Sequence, residues 1–218
     1  AASDVYKRQV QSPADMLSPG RIGMTAILPV RFTAMKWYGK GPLETYPDRQ
    51  CGGRMGVYSE DVRNQPFYLR PQEYGLHMES RSMRLTDPDR ADFVRFEAAC
   101  PMAMSAVPYS DLQLWNARHP LELPAPEALY VHLDYAHRGL GNSSCGPDVL
   151  PTYRIDDRPC HFGFALEAGL GEREDNPFGP IPEEIPAYHP WKAVGEQDRT
   201  PSYRDPSDPD QRSNAGMV

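Results

Sequence analysis

Prolines occur along nearly the whole length of this chain, and they limit what it can fold into. The 218 residues include 24 prolines, about twice the usual share. Because proline lacks a backbone donor and clashes inside a helix, this distribution disfavours long helices. Short apolar runs between proline and glycine turns instead predict an all-β domain.

The predicted strands follow one another at short intervals. The clearest is 128–135, where Leu129, Val131 and Leu133 alternate with side chains of different character, as on the two faces of a pleated strand. One short helix is predicted to start at Ser110, which stands at capping-box spacing from Gln113. Together these elements predict an antiparallel β-sandwich. The other predicted strands are 21–30, 34–38, 66–70, 75–85, 92–98 and 161–166.

Two terminal segments fall outside the predicted domain, which spans 10–167. Residues 1–9, AASDVYKRQ, match the translation of a sequencing-library adapter, so we exclude them from fold reasoning and expect the natural protein to continue upstream of Val10. From about residue 168 prolines accumulate and apolar residues become rare. Such a segment buries too little apolar surface to offset its ordering entropy, so 168–218 is predicted to be a disordered tail.

Charge and cysteine content exclude several classes of partner. The 23 basic and 30 acidic residues give a net charge of −7, which argues against a nucleic-acid partner. No apolar run has the length of a transmembrane helix, so no membrane partner is predicted. The four cysteines are far apart and predict free thiols rather than a zinc site or disulfide scaffold. This favours the cytoplasm, although the compartment stays open.

Three long segments carry a family resemblance. WYGKGPLETYPDR (37–49), PFYLRPQEYG (66–75) and LYVHLDYAHRGLGNSSCGPDVLPTY (129–153) resemble, in order and spacing, signature segments of glycoside hydrolase family two β-galactosidases. The resemblance covers about 21–166 and is to the C-terminal "small chain" domain of those enzymes. It implies an antiparallel super-sandwich similar to galactose mutarotase, of which about the last half is present.

The resemblance also implies a function for the parent protein. The family hydrolyses terminal β-D-galactosyl bonds, as in lactose, with retention of configuration, which requires two carboxyls about 5 Å apart. In the family these glutamates, and the Mg and Na ions often used, lie in a TIM-barrel domain that this chain does not contain. We therefore assign no catalytic residue, metal ligand or cofactor here, and Glu44, Glu73 and Glu79 do not receive the catalytic roles. The chain alone is expected to be inactive.

The resemblance predicts a galactoside ligand, contacts with the missing N-terminal domains and compatibility with a homo-oligomer. Two functions of other classes stay open. One is a stand-alone carbohydrate-binding module, and the other is a scaffold domain that supplies only subunit contacts.

The loop GLGNSSCGP (139–147) is the first candidate site. It is a poor phosphate loop because no lysine follows and no helix opens after it. Cys145 is a poor nucleophile because no histidine lies near it in the sequence. In the family this loop reaches toward the active-site mouth, where an aromatic residue packs on the aglycone sugar. We therefore predict that Asn142, Ser143, Ser144 and Cys145 line the substrate pocket; the alternative is a structural glycine turn with a buried thiol.

The other two motifs supply candidates with two interpretations each. Trp37 and Tyr38 either contact sugar or fill the core at a strand end, and core filling is favoured. Glu73 either binds a sugar hydroxyl or orders a turn, and the structural role is favoured. His132 and His137 are poorly spaced for a metal ion, and fold analogy alone gives them no acid–base role.

Overall fold

The computed structural model describes residues 2–10, 18–69, 72–142, 146–155 and 160–171. Within these ranges eight antiparallel strands form one sheet, accompanied by one short α-helix, α1 (Asp111–Asn116). Single turns of 3₁₀ helix occupy Val62–Asn64, Pro120–Glu122 and Pro151–Tyr153. The all-β prediction is confirmed. The strands are β1 (Ala2–Val10), β2 (Arg21–Pro29), β3 (Ala34–Gly41), β4 (Arg54–Asp61), β5 (His77–Thr86), β6 (Phe93–Val107), β7 (Ala128–His137) and β8 (Cys160–Gly169).

Strand β6 organises the sheet because it is long enough to have different neighbours at its two ends. Its first half pairs with β8 and its second half with β7, while β5 follows its other edge. Pro101 lies between the two halves. The ladder with β5 shifts register there, between the pairs Ser80–Met102 and Ser82–Glu97. Proline is tolerated in a sheet at such irregularities, where no ladder donor is required.

Strands β7 and β8, which pair with different halves of β6, both face one core. Tyr135 of β7 stacks on Phe162 of β8 with ring centroids 5.9 Å apart, although each of these strands pairs with β6. The forked sheet therefore folds over itself in a sandwich-like arrangement, as the sequence predicts. Burying one large apolar side chain stabilises the fold by roughly 1.5–3 kcal/mol relative to leaving it exposed. Fully buried members of this core include Met83, Leu85, Phe96, Met102, Met104, Leu129 and Leu133.

Helix α1 confirms the predicted capping box. The Ser110 hydroxyl accepts a hydrogen bond from the Gln113 amide at 3.2 Å, and the Gln113 side chain accepts one from the Ser110 amide at 2.9 Å. Leu114 is buried against the sheet, whereas Leu112 and Trp115 are exposed. The cap thus fixes a short helix that presents an indole ring to solvent.

One predicted strand is not a strand in the structure, and one observed strand was not predicted. Residues 66–69 of the predicted strand 66–70 are not a strand, and Arg70 lies outside the described residues. Asp61 caps the 3₁₀ turn just before this segment, and Pro66 has no amide with which to extend a ladder. Strand β4 was not predicted, because its side chains are mostly exposed or half-buried and show no apolar alternation.

The terminal segments also bear on the sequence predictions. Residues 2–10, mostly excluded from fold reasoning, form β1 and pair along their whole length with β8. Backbone ladders place few demands on side-chain identity, and the adapter origin of residues 1–9 stays a prediction. Strand β8 ends at Gly169, two residues past the predicted domain boundary. The predicted tail from residue 172 onward lies outside the described residues.

Candidate functional site

The motif 37–49 forms hydrogen bonds with the start of the 139–147 loop. Asp48 accepts hydrogen bonds from the amides of Leu140 at 3.0 Å and Gly141 at 2.7 Å. Arg49 donates to the Gly141 carbonyl at 2.9 Å. Gly141 has φ +60°, and a Cβ there would lie 2.7 Å from the backbone nitrogen of Val149. The loop therefore leaves the sheet in a direction that Asp48 and a glycine together determine.

The motif 37–49 also forms hydrogen bonds with the motif 66–75. The Glu44 carboxylate accepts a hydrogen bond from the Gly75 amide at 2.8 Å. Gly75 has φ +71°, which suits glycine and delays the start of β5 to His77. The Tyr46 hydroxyl donates to Glu73 at 3.3 Å. All three sequence motifs thus meet at one junction.

A buried network of charges lies beneath this junction. Glu73 forms an ion pair with Arg21 of β2, and the His137 Nε2 atom lies 3.4 Å from the same carboxylate oxygen. Arg21 also approaches Asp134 of β7, with Nε 3.7 Å from Oδ2. Asp134 packs against Gly23, where a Cβ would lie 2.4 Å from its carboxylate oxygen. The network therefore joins β2, β7 and the Glu73 turn.

Burial and pairing act in opposition on the titration of this network. Burial alone would raise the pKa of Glu73, but the His137 hydrogen bond and the charge of Arg21 hold that pKa below its ordinary value. Burial alone would lower the pKa of His137, but Glu73 raises it. Asp134 has weaker compensation, and its burial raises its pKa to about 6. Glu73 thus favours the protonated form of His137, while His137 and Arg21 favour the carboxylate form of Glu73.

A cavity of about 740 Å³ opens to solvent beside the network. Its lining includes Arg21, Glu73 and His137 of the charged network. Helix α1 contributes Asp111 and Trp115, and Trp115 is 58% exposed. Residues 138–140, at the base of the loop, also line the cavity. The cavity thus combines charged side chains with one exposed aromatic ring.

The candidate residues from the sequence lie in different environments in the structure. Trp37 and Tyr38 are buried in the core, with 1% and 4% of their surface exposed. The Trp37 indole donates to the Lys40 carbonyl at 3.1 Å and stacks on His77. Asn142 is exposed at the loop, whereas Ser143, Ser144 and Cys145 lie outside the described residues. Of the candidates from the other two motifs, only Glu73 lines the cavity.

Sequence reasoning did not single out Arg21, Asp111 or Asp134. Asp134 stands in the best-predicted strand, and its position among alternating residues shows that it points to one face of the pleat, but not that Arg21 lies beside it. Asp111 is the first residue of a predicted helix, with no local signal for a cavity. These roles arise from contacts between distant parts of the chain.

Among the described residues, no three or more His, Cys, Asp or Glu side chains are grouped so that they could hold a metal ion. In that part of the chain Cys51, Cys100 and Cys160 form no disulfide bond. In the described ranges no helix combines the length and apolar character that crossing a membrane requires.

The fold and junction define an all-β domain in which two of the sequence motifs brace a loop of the third beside a solvent-open cavity. The family model described as "Beta galactosidase small chain" matches residues 4–166, and the chain belongs to this family. That range begins inside the segment assigned to an adapter.

Curated relatives agree with the family match. A β-galactosidase of Staphylococcus xylosus is 31% identical over 156 residues, which cover 70% of this chain and 16% of the relative. One from Arthrobacter sp. (strain B7) is 36% identical, covering 65% and 14%. One from Bifidobacterium adolescentis is 39% identical, covering 66% and 14%. The matched segment therefore spans about one seventh of the length of these relatives.

Proposed function

We propose that this chain is the small-chain domain of a β-galactosidase, in which the loop 139–147 forms part of the wall of the galactoside pocket. The rest of the longer protein supplies the two catalytic carboxyls, and the substrate class is terminal β-D-galactosides of the lactose type. The reaction proceeds with retention, in two displacement steps at the anomeric carbon. The observation that carries this role is the pair of hydrogen bonds that the Asp48 carboxylate accepts from the Leu140 and Gly141 amides, because they fix the direction of the loop.

The three glutamates of the sequence motifs and of β5 already have partners within the domain, which fits a wall role better than a catalytic one. Glu44 accepts the Gly75 amide at 2.8 Å, and Glu79 forms an ion pair with Lys40 at 2.6 Å. Glu73 is paired with Arg21. A nucleophile and a general acid must reach the anomeric carbon and the leaving oxygen, whereas these three carboxylates are occupied in bracing the domain.

In this proposal Cys145 contributes little binding energy to the aglycone. A thiol offers far less apolar surface than the indole that the family often places there, and it cannot stack on a sugar ring. We therefore expect weak discrimination between aglycones of different size, and Cys145→Trp should strengthen binding of flat aromatic aglycones.

A domain exchange tests the function directly. The segment of the Arthrobacter β-galactosidase that matches this chain is replaced by residues 21–166 of this chain. We expect the chimera to hydrolyse nitrophenyl β-galactoside, and the same chimera with Asp48→Ala to show a raised KM. A chimera with Glu127→Ala, an exposed position away from the junction, serves as the matched control.

Two results would contradict the proposal. One is a chimera that assembles with the oligomeric state and melting temperature of the parent but has no turnover. The other is turnover of nitrophenyl β-galactoside by the 218-residue chain alone, because that would place the catalytic carboxyls on this chain.

A further inference from the structure

A smaller pocket of about 270 Å³, which we call the Tyr74 pocket, lies between the segment after β4 and the segment after β6. Among the described residues its lining shares no member with the larger cavity and includes none from the 139–147 loop. We propose that the Tyr74 pocket binds a small uncharged molecule with one aromatic ring and a hydroxyl group. Its lining includes Thr33, Gln65, Phe67, Tyr74 and Tyr109.

Three polar atoms of this lining are buried and have no hydrogen-bond partner among the described residues. They are the Thr33 hydroxyl, the Gln65 Oε1 atom and the Tyr74 hydroxyl. Their residues are 6%, 8% and 3% exposed. The Gln65 Oε1 atom lies beside the Tyr74 turn, since a Cβ at Gly75 would be 2.8 Å from it. A buried polar group without a partner costs about 1–3 kcal/mol, so a ligand that supplies the partner gains affinity.

A hydroxyl group on the ligand matches these three atoms. The Gln65 Oε1 atom can only accept a hydrogen bond, whereas the Thr33 and Tyr74 hydroxyls can donate or accept. Burial raises the pKa of Tyr74, so its hydroxyl keeps its proton at neutral pH. A ligand hydroxyl is both a donor and an acceptor. It can therefore donate to Gln65 and accept from either of the other two side chains.

The aromatic side chains of the pocket favour a flat ring. The Phe67 ring centroid lies 5.9 Å from that of Tyr109 and 6.3 Å from that of Tyr74, and each pair is tilted by 56°. Pro108 and Pro126 add two further apolar rings to the lining. Tilted rings make edge-to-face contacts with an aromatic ligand. Because a cavity of about 150 Å³ can hold benzene, the volume is sufficient for one substituted ring.

The charges of the lining favour an uncharged ligand. Arg63 is the one charged side chain among its described members, and the Arg63 Nε atom donates to Asp61 at 2.9 Å. A carboxylate or an ammonium group in this pocket would lose hydration without gaining a free countercharge. An uncharged ligand avoids that cost.

The test is a titration of the 218-residue chain with three fluorinated probes of equal ring size, monitored by fluorine NMR. The first, 4-fluorophenol, carries the hydroxyl, fluorobenzene lacks it, and 4-fluorobenzoate is anionic. We expect 4-fluorophenol to bind with a dissociation constant of about 1 mM, as suits so small a ligand. The other two probes should each bind at least about fivefold more weakly.

Two variants remove one hydroxyl each and nearly keep the shape of the side chain. At least one of Thr33→Val and Tyr74→Phe should weaken 4-fluorophenol binding about fivefold and leave fluorobenzene binding unchanged. Neither hydroxyl has a partner among the described residues, so neither change should lower the melting temperature. Tyr130→Phe removes a hydroxyl from a tyrosine that does not line the pocket, and it should bind 4-fluorophenol as the parent chain does.

Three outcomes would overturn the inference. They are no binding of 4-fluorophenol up to about 20 mM, equal affinity for fluorobenzene or 4-fluorobenzoate, and unchanged affinity for 4-fluorophenol in both hydroxyl variants. Absence of binding is the result expected if ordered water satisfies the three polar atoms instead. The inference does not rest on the proposed function, and the titration measures no turnover, so the two can fail independently.

Discussion

The Asp48 carboxylate lies 2.7 Å from the backbone amide of Gly141, a residue 93 positions later in the chain. Its second oxygen accepts the Leu140 amide at 3.0 Å. One charged side chain thus determines where the 139–147 loop leaves the sheet. Backbone amides that bind a carboxylate form stronger hydrogen bonds than neutral pairs, so this contact orders the loop as well as joining two motifs.

Replacing Asp48 by alanine removes both acceptors and leaves two backbone amides without partners. We expect the free energy of unfolding to fall by about 2 kcal/mol. The Leu140 and Gly141 amides should exchange with deuterium faster than in the parent chain, measured by hydrogen-exchange mass spectrometry. Glu127→Ala is the control and should change neither quantity. Unaltered exchange at residues 140 and 141 in Asp48→Ala would show that other contacts hold the loop.

The Arg21–Glu73 pair is the second target. Glu73→Gln removes the nearer of the two carboxylates that face the mostly buried Arg21 guanidinium, leaving only Asp134 at 3.7 Å, and weakens the bond to His137. We expect a loss of about 3 kcal/mol in the free energy of unfolding, because breaking one side of a buried pair leaves a poorly compensated charge. Urea denaturation measures this loss.

A double-mutant cycle separates the pair from its surroundings. Arg21→Met combined with Glu73→Gln should be less destabilising than the sum of the single changes, with a coupling energy above about 1 kcal/mol. Additive losses would mean that the two side chains stabilise the fold independently. His119→Ala, at an exposed position outside the network, is a control for unspecific effects.

The local features of this fold could be predicted from the sequence, because their causes are local. The Ser110–Gln113 capping box is written in four consecutive residues, and the alternation of Leu129, Val131 and Leu133 is enough to identify β7. The extent of β6 could not be predicted in this way. A proline such as Pro101 favours the end of a strand, whereas in the structure it lies inside β6, where that strand changes partner from β8 to β7.

The candidate site could be predicted in part. The three motifs indicate the family and place Glu73 and the 139–147 loop among the candidates. They do not show that Asp48 binds Gly141, or that Arg21 binds Glu73 across 52 residues. Such pairings depend on strand order and register, which single-chain patterns leave open. Trp37 is a further example. Its place in the sequence is compatible with a sugar contact, and only the structure shows that it is buried and stacked on His77.

Buried His77 should make the fold sensitive to acid. Burial lowers its pKa to about 4 from 6.5. Between these values the unfolded chain binds a proton that the folded chain does not, so stability falls as pH decreases from 6.5 to 4. We expect His77→Phe, which keeps a ring against Trp37, to remove up to about 3 kcal/mol of that loss. The measurement is the urea midpoint at a series of pH values.

Asp134 should act in the opposite direction. Burial raises its pKa to about 6 from 3.8, so the folded chain binds the extra proton and this residue favours folding as pH falls from 6 to 4. Asp134→Asn should therefore steepen the acid-induced loss of stability, while His77→Phe makes it shallower. Equal pH profiles for the two variants would contradict both assignments.

The Ser110 cap links the stability of α1 to the cavity. Ser110→Ala leaves the Gln113 amide without its acceptor, and a helix of six residues has little other support. We expect a loss of about 1 kcal/mol in the free energy of unfolding. The near-ultraviolet circular dichroism should change as well, since Trp115 lies on this helix. Ser110→Asp, which can cap equally well, should restore both signals. Unchanged stability in Ser110→Ala would contradict the capping role.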